Sequence, residues 1–187
     1  MKPTSYLAVS VLSWMVAAAL AVSNAASAAS QPRHYSENGL EFDYDPRLTL
    51  DTEKKDQSST INLKLGKHAA DLVLTIQVVD QPLSGDAYAA SAVQAMHTGL
   101  EKAGWKVGEI QPAKATIGKE ERTGKQFNYS LPHLSVDLVY QAYGWDLSTG
   151  DLNRKIQFIG IQYSRKREAA VRPIIETTLR SWQYKKP

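Results

Sequence analysis

Two segments of this chain are apolar on both alternations of a strand, and that limits the folds it can adopt. Residues 71–80 (DLVLTIQVVD) and 156–163 (IQFIGIQY) carry Val, Ile, Leu or Phe at odd and even positions alike. A strand of this kind is covered on both faces. The covering layers are legible too. Ser84 is placed as an N-cap, Asp86 as a first-turn charge, and Tyr88, Ala89, Ala92, Val93, Met96, Leu100 and Ala103 follow helical spacing. This predicts a helix over 85–103, closed by Gly104 with Trp105 packing back. Val171, Ile174, Ile175, Thr178, Leu179 and Trp182 repeat at three and four and predict a second helix. Pro173 must lie in its first turn or kink it.

The remaining segments are short and β-rich. Leu40 to Asp45 alternates apolar and acidic residues, a strand with one wet face ended by Pro46. Leu48 and Leu50 allow a short continuation, and 51–59 (DTEKKDQSS) reads as a charged loop. Ile61, Leu63 and Leu65 give another half-buried strand. Segments 105–117, 121–131, 134–145 and 154–164 are separated by turn residues and read as an antiparallel meander, with 156–163 central. The expected class is therefore α+β: an α/β/α sandwich of a mostly antiparallel sheet with a helix on each face. One domain is expected over 39–184, after a flexible lead-in over 29–38.

The N-terminus reads as an export address. Lys2 precedes an uncharged stretch from Tyr6 to Val22, and Ala26-Ser27-Ala28 fits the small-x-small pattern of signal-peptide cleavage. A signal peptide over 1–28, cut after Ala28, implies a periplasmic or secreted protein. Retention as an anchor is the rival reading; the run is short for a membrane span. No later stretch is long enough for one, so the mature chain is expected to lack a transmembrane segment. Cys is absent from the 187 residues, which excludes disulfides, thiol nucleophiles and Cys-ligated metals. The net charge of +3 is too small and too mixed to indicate nucleic acid.

The order of elements resembles the PsbP-like superfamily, including the DcrB-like envelope proteins. The resemblance is carried by Tyr35 to Pro46 (YSENGLEFDYDP), by the long helix after a strand ending at Asp80, and by IQFIGIQYSR followed by a helix ending Leu179-Arg180-Ser181-Trp182. It implies the same α/β/α sandwich and mostly non-catalytic accessory, assembly or binding roles. It supplies no catalytic residue.

The reactive side chains point the same way. His34, His68, His97 and His133 are too far apart for a local metal pair. Glu41, Asp43 and Asp45 alternate onto one strand face and are the weak alternative metal site; a solvated, aggregation-resistant edge is the plainer reading. His133, Ser135 and Asp137 hold the letters of a triad without its contacts. No phosphate-binding glycine loop is present. Trp105, Tyr143 and Trp145 are the candidate ligand-binding residues, with Tyr143 and Trp145 expected to be exposed because they share the parity opposite to Tyr140. Arg165, Lys166, Arg167, Arg172, Arg180, Lys185 and Lys186 form a basic set along the second helix and a polar tail over Lys185-Lys186-Pro187; it reads as a solvated face, with contact to anionic lipid or an acidic partner as the rival. The expectation is a non-enzymatic, cofactor-free envelope module that binds an envelope protein or a small ligand. A small metal-dependent envelope enzyme is the alternative.

Overall fold

A computed structural model describes residues 31–55, 58–66, 71–148 and 154–185, with Pro132 described for its backbone alone. The leader and its cut after Ala28, and Lys186, lie outside the described residues. The first strands are β1 (Arg33–Glu37), β2 (Leu40–Tyr44), β3 (Leu48–Lys55), β4 (Ser58–Leu65) and β5 (Leu72–Gln81). Helix α1 (Gly85–Lys102) follows, then β6 (Lys106–Val107), β7 (Gln111–Ile117), β8 (Glu120–Leu131), β9 (Val136–Ser148) and β10 (Arg154–Ser164). Helix α2 (Glu168–Ser181) and β11 (Gln183–Tyr184) are the last described elements.

The fold is α+β. An eight-stranded sheet runs β3-β4-β5-β10-β9-β8-β6, with β7 also on β8, and a three-stranded sheet runs β1-β2-β11. Every pairing among the described residues is antiparallel. The meander and the central place of β10, between β5 and β9, follow the sequence reading. So does α1: the Ser84 hydroxyl accepts from the Ala87 amide at 3.3 Å, and Asp86 lies in the first turn.

Four expectations need correction. Residues 33–37 are no loose lead-in. They form β1, because Asn38 and Gly39 take the two left-handed positions (φ 53° and 79°) that a tight hairpin turn requires. Tyr35 is then buried and stacked on Phe42 at 4.9 Å. The charged run after Leu50 is not a loop up to residue 59, since β3 and β4 pair from Leu48↔Leu65 to Lys55↔Ser58. Its exposed charges belong to an edge strand, where charge opposes strand addition. The end of the chain is not a free tail at Lys185. β11 joins β2, and the Lys185 amide donates to the Gly39 carbonyl at 2.7 Å. Finally, only one face of β5 is fully closed: Leu72, Leu74 and Ile76 are buried, while Val73, Thr75 and Gln77 are half-buried. Pro173 sits inside α2 beyond its first turn.

Two apolar clusters hold the fold, and alternate residues of β10 divide between them. Phe158 joins Ala89, Val93, Phe127, Tyr129, Leu138 and Ala142 around α1. Ile159, Ile161 and Tyr163 join Val171, Ile174, Ile175, Leu179 and Trp182 around α2, together with Phe42 and Leu40 of the small sheet. No described helix is long and apolar enough to cross a membrane.

Candidate functional site

The helix α2 does not close fully on the strands beside it. One stripe of it (Glu168, Arg172, Ile175, Glu176, Leu179 and Arg180) walls a cleft of about 330 Å³. Opposite are Lys114, Ala115 and Thr116 of β7, Glu121 of β8, Gln141 and Tyr143 of β9, and Tyr163 of β10. The far end is pinned where the Gly118 amide, just past β7, donates to the Leu179 carbonyl at 2.7 Å. This volume is at the lower end of small-ligand sites.

The rim carries three ion pairs. Lys114 Nζ lies 2.9 Å from Glu121, Arg172 lies 2.5 Å from Glu168, and Arg180 lies 3.5 Å from Glu176. The last two are helical i,i+4 pairs, so the sequence spacing alone forms them. Three charges of each sign leave the rim without net charge. Inside, the Tyr143 hydroxyl donates to Gln141 Oε1 at 3.4 Å, and Gln141 Nε2 donates to Gln126 Oε1 at 2.9 Å. Burial pushes the Tyr143 phenol up to about 12. Burial, with Glu168 nearby, also raises the Tyr163 phenol. Both hydroxyls therefore stay protonated and neutral near pH 7. The cleft offers apolar surface, phenolic donors and a charge-balanced margin.

The three aromatic residues singled out from sequence do not gather. Tyr143 and Trp145 are 1% and 6% exposed, not open to solvent. Alternation assigns them a side, but that side is roofed by α2 and Trp182. Trp145 meets the Trp182 ring edge-on at 5.0 Å, and the Arg122 guanidinium lies over the Trp145 ring, 5.0 Å from its centroid. Trp105 packs in the α1 cluster, edge-on to Tyr129 at 5.4 Å. Only Tyr143 reaches the cleft. Of the lining, only Tyr143, Arg172 and Arg180 are candidates from sequence; Tyr163, Gln141 and the rest of the α2 stripe carry no local signal, because the gap between helix and strands is a tertiary property.

The acidic row is dispersed among separate partners. Lys185 Nζ lies 2.7 Å from Glu41, His34 Nδ1 lies 2.8 Å from Asp43, and Arg47 lies 2.7 Å from Asp45. The hydrogen bonds from Lys185 and Arg47 hold the Glu41 and Asp45 carboxyls below the usual range. Among the described residues no group of three His, Asp or Glu side chains is placed to hold a metal. Ser135 takes a left-handed conformation, its carbonyl accepts from Lys166 Nζ at 3.3 Å, and Asp137 faces Arg165 at 3.9 Å. No contact among the described residues joins Asp137 to His133 or His133 to the Ser135 hydroxyl as a relay requires. Of the basic set, Arg165, Arg167, Arg172, Arg180 and Lys185 each face an acid.

No family model matches the chain, and no curated relative matches it. Solved structures do. The chain is similar to cyanobacterial PsbP (CyanoP) from Synechocystis sp. PCC 6803, with a TM-score of 0.50 and 13% identity over 86% of this chain and 95% of that one. This chain has a PsbP-like fold. It also matches LpqN, described as involved in cell envelope biogenesis of Mycobacterium tuberculosis, with a TM-score of 0.47 and 12% identity over 83% of this chain and 90% of that one.

Proposed function

We propose that this chain is an exported, non-catalytic binding module of the cell envelope, and that the cleft beside α2 is where it engages a protein partner or a small ligand. The carrying observation is the cleft itself: about 330 Å³, floored by two neutral phenols and bordered by ion pairs of balanced sign. Such a lining recognises shape and hydrogen-bonding groups. It offers no carboxylate–histidine or nucleophile–base pair among its named walls. The export reading rests on the leader sequence from Lys2 to Ala28. The helix-on-each-face sandwich over 39–184 is part of the same reading, and the division of β10 between the two clusters supports it.

The test uses Thr116, which is exposed and lines the cleft. Wild-type mature protein and Thr116→Trp, which plugs the cleft, are each immobilised and challenged with envelope extract. The expectation is a component retained by wild type and lost from the plugged variant, at unchanged thermal stability. Equal retention by both proteins contradicts the reading. So does turnover of a substrate by the purified protein that one substitution abolishes.

A further inference from the structure

The cleft is lined by three consecutive residues of β7, Lys114, Ala115 and Thr116. Successive residues of a strand point to opposite faces. A surface that touches all three reaches around the strand's border and is not confined to one face. That border is free: among the described residues β7 pairs with β8 alone. Its outward N–H and C=O groups need partners of the kind another strand supplies.

Resting on the binding reading above, we propose that an extended segment of a partner polypeptide adds to the outer edge of β7 as a further strand and seats one apolar or aromatic side chain on the Tyr143–Tyr163 floor. Main-chain hydrogen bonds give such a complex its affinity, and the pocket for an alternate side chain gives its selectivity. The rim defines the segment further. Lys114, Arg172 and Arg180 are balanced by Glu121, Glu168 and Glu176, so the complement is a segment of low net charge. A polyanion or an anionic lipid surface would find no excess of cations there. A contrast within the same sheet supports the assignment. Among the described residues β3 is also an edge, pairing with β4 alone, yet none of its residues lines the cleft, and Asp51, Glu53, Lys54 and Lys55 make it a charged, exposed border.

The probe is a displayed library of short linear peptides, selected on the mature protein at moderate and at high salt. The proposal expects enriched peptides with an apolar residue flanked by positions of low net charge. N-methylation at alternate backbone positions should weaken binding roughly ten-fold, while the intervening positions tolerate it. Amide exchange should slow at β7 on binding and stay unchanged at β3. High salt should leave affinity within about two-fold. Binding that perturbs Tyr143 and Tyr163 without the alternating N-methyl pattern or β7 protection overturns strand addition and leaves the binding reading standing. Concentration-dependent protection of β7 in protein alone assigns the edge to a second copy and also overturns the proposal. Failure to enrich any peptide, with no probe perturbing the cleft, overturns both.

Discussion

The regions around the two helices use the same materials and reach opposite results. At α1 the contact is a seam of small residues. A Cβ built on Gly144 would fall onto the carbonyl oxygen of Gly85, and one built on Gly85 would strike the backbone of Trp145. Ala89 and Ala142 continue the seam, so helix and strand meet nearly backbone to backbone. His97 bolts the far end: its Nε2 lies 3.0 Å from the Gly108 carbonyl, and its ring stands edge-on to Phe127. Around α2 the cluster is built of long side chains: Ile174, Ile175 and Leu179 of the helix share it with Ile159, Ile161 and Tyr163 of β10. Helix-to-sheet distance follows the size of the side chains between them. A helix on stilts leaves room beside it. The difference teaches that the cleft follows from where large residues were placed, with no specialised loop required.

That contrast can be broken by substitution. The largest expected loss is Ile174→Ala, about 4 kcal/mol by denaturant unfolding, because the cavity it leaves in the α2 cluster is closed. Ile175→Ala, one residue on and lining the cleft, should cost only about 2 kcal/mol, since water already reaches that wall. Equal losses would mean the cleft is dry and collapsed. Gly144→Ala should lose about 3 kcal/mol, as α1 is pushed off its seam. A cost below about 1 kcal/mol would refute the close approach.

A smaller, pH-dependent effect compares the regions phenol by phenol. Tyr140 packs against the α1 cluster and Tyr143 in the α2 cluster, and burial raises both to about 12. The unfolded value is about 10. Between those values the native state keeps protons that the unfolded chain sheds, so stability present below pH 10 is lost as pH rises toward 12. Each phenol contributes a slope of about 1.4 kcal/mol per pH unit. Tyr140→Phe and Tyr143→Phe should each flatten the alkaline limb of urea unfolding by one such share. A shallower share for Tyr143 would show that the cleft is the wetter region. Smallest of all is Arg180→Ala. It removes an exposed i,i+4 pair and should leave the melting temperature within error.

Much of the architecture was readable from local pattern. α1, α2, β5 and the meander each announce themselves over ten or more residues, where periodicity accumulates. What escaped was short or polar. β1 is a single buried Tyr35 among exposed residues, and its strongest signal was the Asn38-Gly39 turn, which fixes a hairpin by backbone conformation alone. β3 carries its charges on an edge, where composition matches that of a loop. β11 is two residues long and exists only because β2 offers a border. The site divides in the same way. Parity sets Tyr143 apart from Tyr140 but separates two sides without saying which is wet, so the expected exposure of Tyr143 fails although it lines the cleft. The salt-bridged face of α2 was legible as a solvated helix. That this face also walls a cleft depends on distances set by the whole core.

The central claim is that the α2 side bears the interaction and the α1 side only supports the fold. Site-specific photo-crosslinking in intact cells tests it most directly, with the reactive side chain placed at Thr116 in the cleft or at Gln94, on an exposed position of α1. The account predicts a discrete adduct from position 116 and none from position 94. Adducts from 94 alone, or equal labelling from both, would contradict it.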